Sequence, residues 1–241
     1  MDYLGELHER CLEFGNQLRF DKHHKLHFEL VALYGSLIEL VGCMLILLKT
    51  NAKIGIPSLY RTFLETYVEF YNLVRDPRYG YYREASFLKE WLKVLKIAKE
   101  KKNPYLVDIS ALSNLAAIIS KNENELQDLI ARGYKPLTIR QKFGRADMLK
   151  EYLSFYNFLC CESHSNKRAL IDRHANIINN DYELVVYKTH PDEKYLSYTD
   201  SAAGLLVSAT IDIHDHLESP ARDQVKGLRQ QLDRIRSEEQ K

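Results

Sequence analysis

"LVALYGSLIELVGCMLILL", residues 30–48, decides the architecture. The run is nearly long enough to cross the hydrocarbon core of a bilayer. Glu39 stands at its centre, where lipid would impose a cost of about 3 kcal/mol on a charge. A buried central helix of a bundle satisfies the same pattern without that cost, so the segment is read as a helix surrounded by neighbours and no membrane association is expected.

On either side of it the apolar residues keep helical spacing. Leu4, Leu7, Cys11, Phe14 and Leu18 define an amphipathic first helix over residues 3–19. Asp21 is a candidate N-cap for the central helix, which runs to about Thr50. "NAKIGIP" breaks it, and Pro57 suits the first turn of a helix to Val74 that ends at Asp76-Pro77. Residues 78–102 read as a solvated helix with one apolar face, and residues 108–132 as one or two more, with Gly133 as C-cap. Pro136 to Gly144 reads as a connector. Helices follow at 146–161 and 201–217, and Val225, Leu228, Leu232 and Ile235 mark a terminal amphipathic helix at 220–241. Only "YELVVYKTHPDEKYLSY", residues 182–198, departs from this period; it reads as a short hairpin or extended loop. No linker or repeat divides the chain, so the expectation is an all-α multi-helix bundle forming a single domain over residues 1–241.

Composition narrows the function classes. Lys and Arg number 34 and Asp and Glu 33, a balance that argues against a generic nucleic-acid coat, although a local basic patch stays open. Cys11, Cys43, Cys160 and Cys161 have neither metal-ribbon nor disulfide spacing and read as small buried residues of a reducing compartment. With no charged n-region and apolar h-region at "MDYLGELHER", a cytoplasmic location is expected. P-loop, dinucleotide-binding, zincin and nucleophile-elbow motifs are missing from the sequence, and no cofactor is implied.

Polar residues that interrupt apolar helices are the candidates for chemistry. Arg61 and Glu65 lie one turn apart in "YRTFLETYVEF", either as a structural ion pair or facing a polar pocket. In "YNFLCCESHSNKRALIDRH", residues 156–174, a core-type run passes abruptly into polar residues. An unbroken helix there would stack His164, Arg168 and Asp172 on one stripe, with Asp172 holding Arg168. Ser163, Ser165 and Asn166 are all good N-caps, however, and a break would scatter the stripe. Tyr156, at the head of this stretch, is grouped with Arg61 and Glu65 as substrate-binding. His23 and His27, and Asp212 and His216, could each chelate a divalent ion, but neither pair has a third ligand at motif spacing; both read as His-rich helix ends, and no metal is assigned. Tyr79, Tyr81 and Tyr82, between Arg78 and Arg83, read chiefly as tyrosines packing a helix start.

The long apolar helix including Ile38 to Leu48, the Arg-x-x-x-Glu helix in "LYRTFLETYVEFYNLVRDP" and the Tyr-rich "YLSFYNFLCCESHSNKRAL" together resemble a bacterial family of uncharacterised helical proteins, domain of unknown function 5677, over roughly residues 20–217. More distantly, Arg168 to His174 in "RALIDRH" is similar to the Arg-x4–6-His signature of the HEPN superfamily, helical bundles that often dimerise and include metal-independent ribonucleases of toxin and antiphage systems. A second window, Arg19 to His24, fits the spacing but lies too early. This resemblance implies that His174 or His164 takes the ribose 2′-hydroxyl proton while Arg168 stabilises charge on the phosphate. It further implies RNA as partner, a homodimer and a neutralising protein. The alternative expectation is a non-catalytic module for protein–protein interaction.

Overall fold

A computed structural model describes residues 2–50, 52–163, 166–179, 181–188, 190–191 and 193–239. The fold is all-α with one small two-stranded sheet. In chain order the elements are α1 (Asp2–Gly15), α2 (Lys25–Leu48), α3 (Ile56–Arg75), α4 (Tyr79–Lys99), α5 (Val107–Ser110), α6 (Leu115–Ala131), α7 (Ile139–Arg145) and α8 (Leu149–Glu151). A π-helical turn (Tyr152–Tyr156) leads into α9 (Asn157–Ser163), followed by α10 (Lys167–His174), β1 (Ala175–Ile178), β2 (Asp181–Leu184), α11 (Glu193–His216) and α12 (Arg222–Glu239).

The chain divides into two compact units, residues 1–75 with 143–241, and residues 76–142. The breaks fall at the Asp76-Pro77 helix stop and within the stretch read as a connector. In the first unit α2, α3 and α11 pack mutually, α1 and α12 pack on α11, and α9 packs on α3. Leu30, Tyr34, Leu37, Val41 and Met44 give α2 one buried stripe. On α11, Tyr195, Thr199, Ala202, Leu206, Ala209 and Ile213 recur every three or four residues, and the small ones let neighbouring helices approach closely. Tyr34 ties three helices together: its hydroxyl donates to the Cys11 carbonyl at 2.9 Å and lies 2.9 Å from Thr210 Oγ1.

In the second unit Leu92, Leu95, Ala98, Leu115 and Ile119 form one core, and Ala85, Leu88 and Leu129 another. Gly133 ends α6 at φ +93°, with its N–H donating to Ile130 and the Tyr134 N–H donating to Leu129. This pair of bonds is a Schellman C-cap, and the left-handed φ is why a glycine stands there. The tyrosines near Arg78 pack here: Tyr79 is buried, while Tyr81 and Tyr82 lie against Tyr134, with Arg132 over the Tyr81 ring at 4.8 Å.

Several expectations are corrected. The Asp21 carboxylate accepts from the His23 N–H in a local turn, so α2 starts later, with His24 at its N-cap. Nor is α2 enclosed on most sides: Phe28, Ala32, Ser36, Glu39, Cys43 and Ile46 form an exposed face, where Glu39 needs no buried partner. By length and composition alone α2 is a helix that could cross a membrane. The hairpin lies earlier than 182–198, because Asn179 accepts a positive φ and turns the chain there, whereas Tyr195 and its successors resume helical spacing. Part of the connector is helical, as α7. The helix expected over 146–161 is interrupted by the π turn, whose wider winding shifts the side chains that follow.

Candidate functional site

The three residues grouped as substrate-binding meet in the first unit. On α3, Arg61 Nε lies 3.2 Å from Glu65 Oε1, as spacing of one turn requires. The Tyr156 phenol, at the end of the π turn, donates to the same Glu65 oxygen at 2.6 Å and accepts from Arg61 Nη2 at 3.3 Å. The guanidinium carbon stands 5.5 Å from the centre of the Tyr156 ring. Burial, followed by the hydrogen bond to Glu65, pushes the phenol well above the usual tyrosine range. The hydrogen bond to Tyr156 likewise raises Arg61 above its ordinary value. The phenol therefore stays neutral and the guanidinium charged through physiological pH, with Tyr156 buried and Arg61 and Glu65 half-buried beside it.

Of the residues given catalytic roles, Arg168 and His174 do not meet. His164 lies outside the described residues. α9 ends at Ser163 and α10 begins at Lys167, where the Asn166 side chain caps the Arg168 N–H at 2.9 Å. Arg168 extends over the Phe158 ring, with its guanidinium carbon 5.5 Å from the ring centre. Six residues on, His174 points a different way on α10, and its Nδ1 lies 3.2 Å from the Val185 carbonyl. The two residues line separate cavities. Arg168 belongs to one of about 690 Å³ with Asn166, Lys167, Asp172 and Lys188; His174 belongs to one of about 600 Å³ with Leu170, Tyr182 and Leu184. Asp172 does not hold Arg168, because it pairs with Lys194. Burial pushes the Asp172 carboxyl up, but Lys194, His190 and Lys188 together hold it below its usual value.

A buried ion pair escaped the sequence reading. Glu162 and Arg173, both mostly buried, lie 3.5 Å apart, and Arg173 also bonds the Glu162 carbonyl, tying α9 to α10. Nearby, burial and then Asp172 push Tyr195 up to about 12, while burial and then Lys194 lower His190. The signal for Glu162 was a lone carboxylate closing the apolar run "NFLCCE"; its partner, eleven residues on, required the turn between helices to be known.

Fold and site together define a helical protein with an Arg-Tyr-Glu cluster braced on a π turn. The chain belongs to the family described as "Family of unknown function (DUF5677)", whose model matches residues 27–183. That span includes Arg61, Glu65, Tyr156, Arg168 and His174 and ends within β2. No curated protein and no solved structure matches the chain.

Proposed function

We propose that this protein is a non-catalytic interaction module that captures an extended, apolar segment of a partner protein carrying acidic residues. One observation carries this reading: α10 and the hairpin leave a contiguous apolar face open to solvent. Ile177 is 73% exposed and Leu184 74%, and Leu170, Ile171, Tyr182 and Val186 are exposed beside them. Monomeric proteins rarely leave such a patch uncovered, and among the described residues the hairpin is a two-stranded sheet with no further strand on its outer edges, where an added strand can pair. The acidic requirement comes from the neighbouring cavity. Ile171, Ala175 and Ile177 line both cavities, so the Lys167, Arg168 and Lys188 cations border the apolar one directly. Because Arg61, Glu65 and Tyr156 bond one another, they read as a structural brace between α3 and the π turn.

The test is fluorescence anisotropy with a labelled peptide alternating Val and Glu, beside one alternating Val and Lys. Saturable binding of the acidic peptide alone, lost in Ile177→Asp with Leu184→Asp, is expected. Failure of both peptides to bind the folded protein overturns the reading, as does a concentration-dependent dimer that the same substitutions dissolve, since the face would then belong to a second copy.

A second reading rests on the cationic cavity. Asn166, Lys167, Arg168 and Lys188 gather where a phosphate could sit, and Phe158 offers a ring beside Arg168. Under the HEPN-like resemblance this is a homodimeric, metal-independent ribonuclease of toxin or antiphage type, with Arg168 on the phosphate, His174 or His164 as base and a neutralising protein as partner. Incubation with structured RNA in EDTA tests it: cleavage leaving 2′,3′-cyclic phosphate ends, abolished in Arg168→Ala and His174→Ala, is the expected result. Intact RNA at every protein concentration removes it.

A further inference from the structure

We propose that His24, His27 and His216 form a binding site for a borderline transition-metal ion such as zinc(II) or nickel(II). Neither histidine-containing pair in the sequence has a third ligand of its own, but packing of α11 on α2 supplies one across the helices. His24 is the N-cap residue of α2, His27 lies in its first turn and His216 is the last residue of α11. The His24 and His27 ring centres are 4.3 Å apart, and those of His27 and His216 6.5 Å. His24 makes no side-chain capping bond, so its ring is not committed to the helix end.

A second observation points to a ligand. His27 Nδ1 is buried and has no hydrogen-bond partner among the described residues. A buried imidazole nitrogen in that condition calls for an ion or a water, because an unmet polar group inside a protein is costly. Three imidazoles suit zinc or nickel and not calcium or magnesium, which require oxygen ligands. As the rings stand, no three His, Cys, Asp or Glu side chains among the described residues are placed to hold a metal ion. Ion capture therefore includes rotation of the rings, chiefly that of the exposed His24 out of its tilted contact with the His27 ring. Solvent access at His24 also provides the entry path, and water completes the coordination.

The experiment is calorimetric titration of the full chain, free of any affinity tag and stripped with EDTA, with zinc chloride and separately with nickel chloride. One ion per chain is expected, with a rise in Tm on zinc addition. His24→Ala is expected to weaken binding at least about tenfold, and His27→Ala with His216→Ala to abolish it. His23→Ala, a neighbouring exposed imidazole, serves as the control and is expected to bind as the parent does. Cobalt(II) substitution provides a readout independent of heat, since visible d–d bands report nitrogen coordination directly. Absence of saturable binding overturns the proposal, and so does unchanged affinity in a folded His24→Ala variant. Where the buried-side variants lose their circular dichroism signal, the exposed His24→Ala variant alone decides.

Discussion

Tyr156 reaches Glu65 from a π turn, donating its phenol proton across 2.6 Å while accepting from Arg61. The extra residue of a π turn changes where subsequent side chains point, so this contact depends on a local departure from regular helix. Tyr156→Phe keeps the ring and the Arg61–Glu65 pair but removes the hydrogen bonds that join the π turn to α3. A loss of about 1 kcal/mol is expected by urea denaturation. In the Glu65→Gln background the same substitution is expected to cost less, and a double-mutant cycle with zero coupling would show that the bond contributes nothing.

Arg173→Ala strands the Glu162 carboxylate, which is about 10% exposed on its side chain. Removing one partner of a buried pair costs about 3 kcal/mol, far more than an exposed pair is worth. Thermal denaturation is the measurement. Arg173→Ala together with Glu162→Gln is expected to recover part of the loss, because no uncompensated charge remains.

Tyr34→Phe leaves the Cys11 carbonyl without this donor, among side chains that are fully buried. A cost of about 1–3 kcal/mol is expected in chemical denaturation, with native helical content retained. Circular dichroism at low denaturant separates this outcome from global misfolding.

Asp212 supplies a pH dependence of defined sign. Burial, and then the nearby Asp215 charge, raises its pKa from 3.8 to about 6, while Arg229 and Arg75 oppose the shift. Between those values the folded state holds a proton that the unfolded state has released. Stability from this group therefore falls as pH rises from about 4 to about 6 and is level above that. Asp212→Asn is expected to remove that slope and to stabilise the protein at pH 7.5 by about 1 kcal/mol, the value being reduced by partial solvent screening. Tm profiles of parent and variant across this range test it.

How much was legible in the sequence depended on the range of the signal. The stop at Asp76-Pro77, the Gly133 cap and the terminal helix were local events, written in one or two residues. Arg61 and Glu65 were legible because one helical turn sets their distance. Their meeting with Tyr156 involves a residue far away in the chain and a π turn with no reliable signature, so only a grouping by residue type anticipated it. The polar stripe required a continuous helix, whereas Asn166 caps a new one; Arg168 and Asp172 still stand one turn apart on α10, but Asp172 pairs with Lys194 of a distant segment. Glu39 on the central helix misled in the other direction: an exposed carboxylate on an otherwise apolar run looks, from one dimension, like a buried one.

The split of the first unit into residues 1–75 and 143–241 sets an order on its birth at the ribosome. The second unit is continuous and can close its two cores as soon as it emerges. α1, α2 and α3 must wait for α11, which supplies the other side of their core and is synthesised late. Until then the Leu30–Leu48 stripe has α1 and α3 against it but lacks α11, so its remaining apolar surface is open on the nascent chain to wrong contacts.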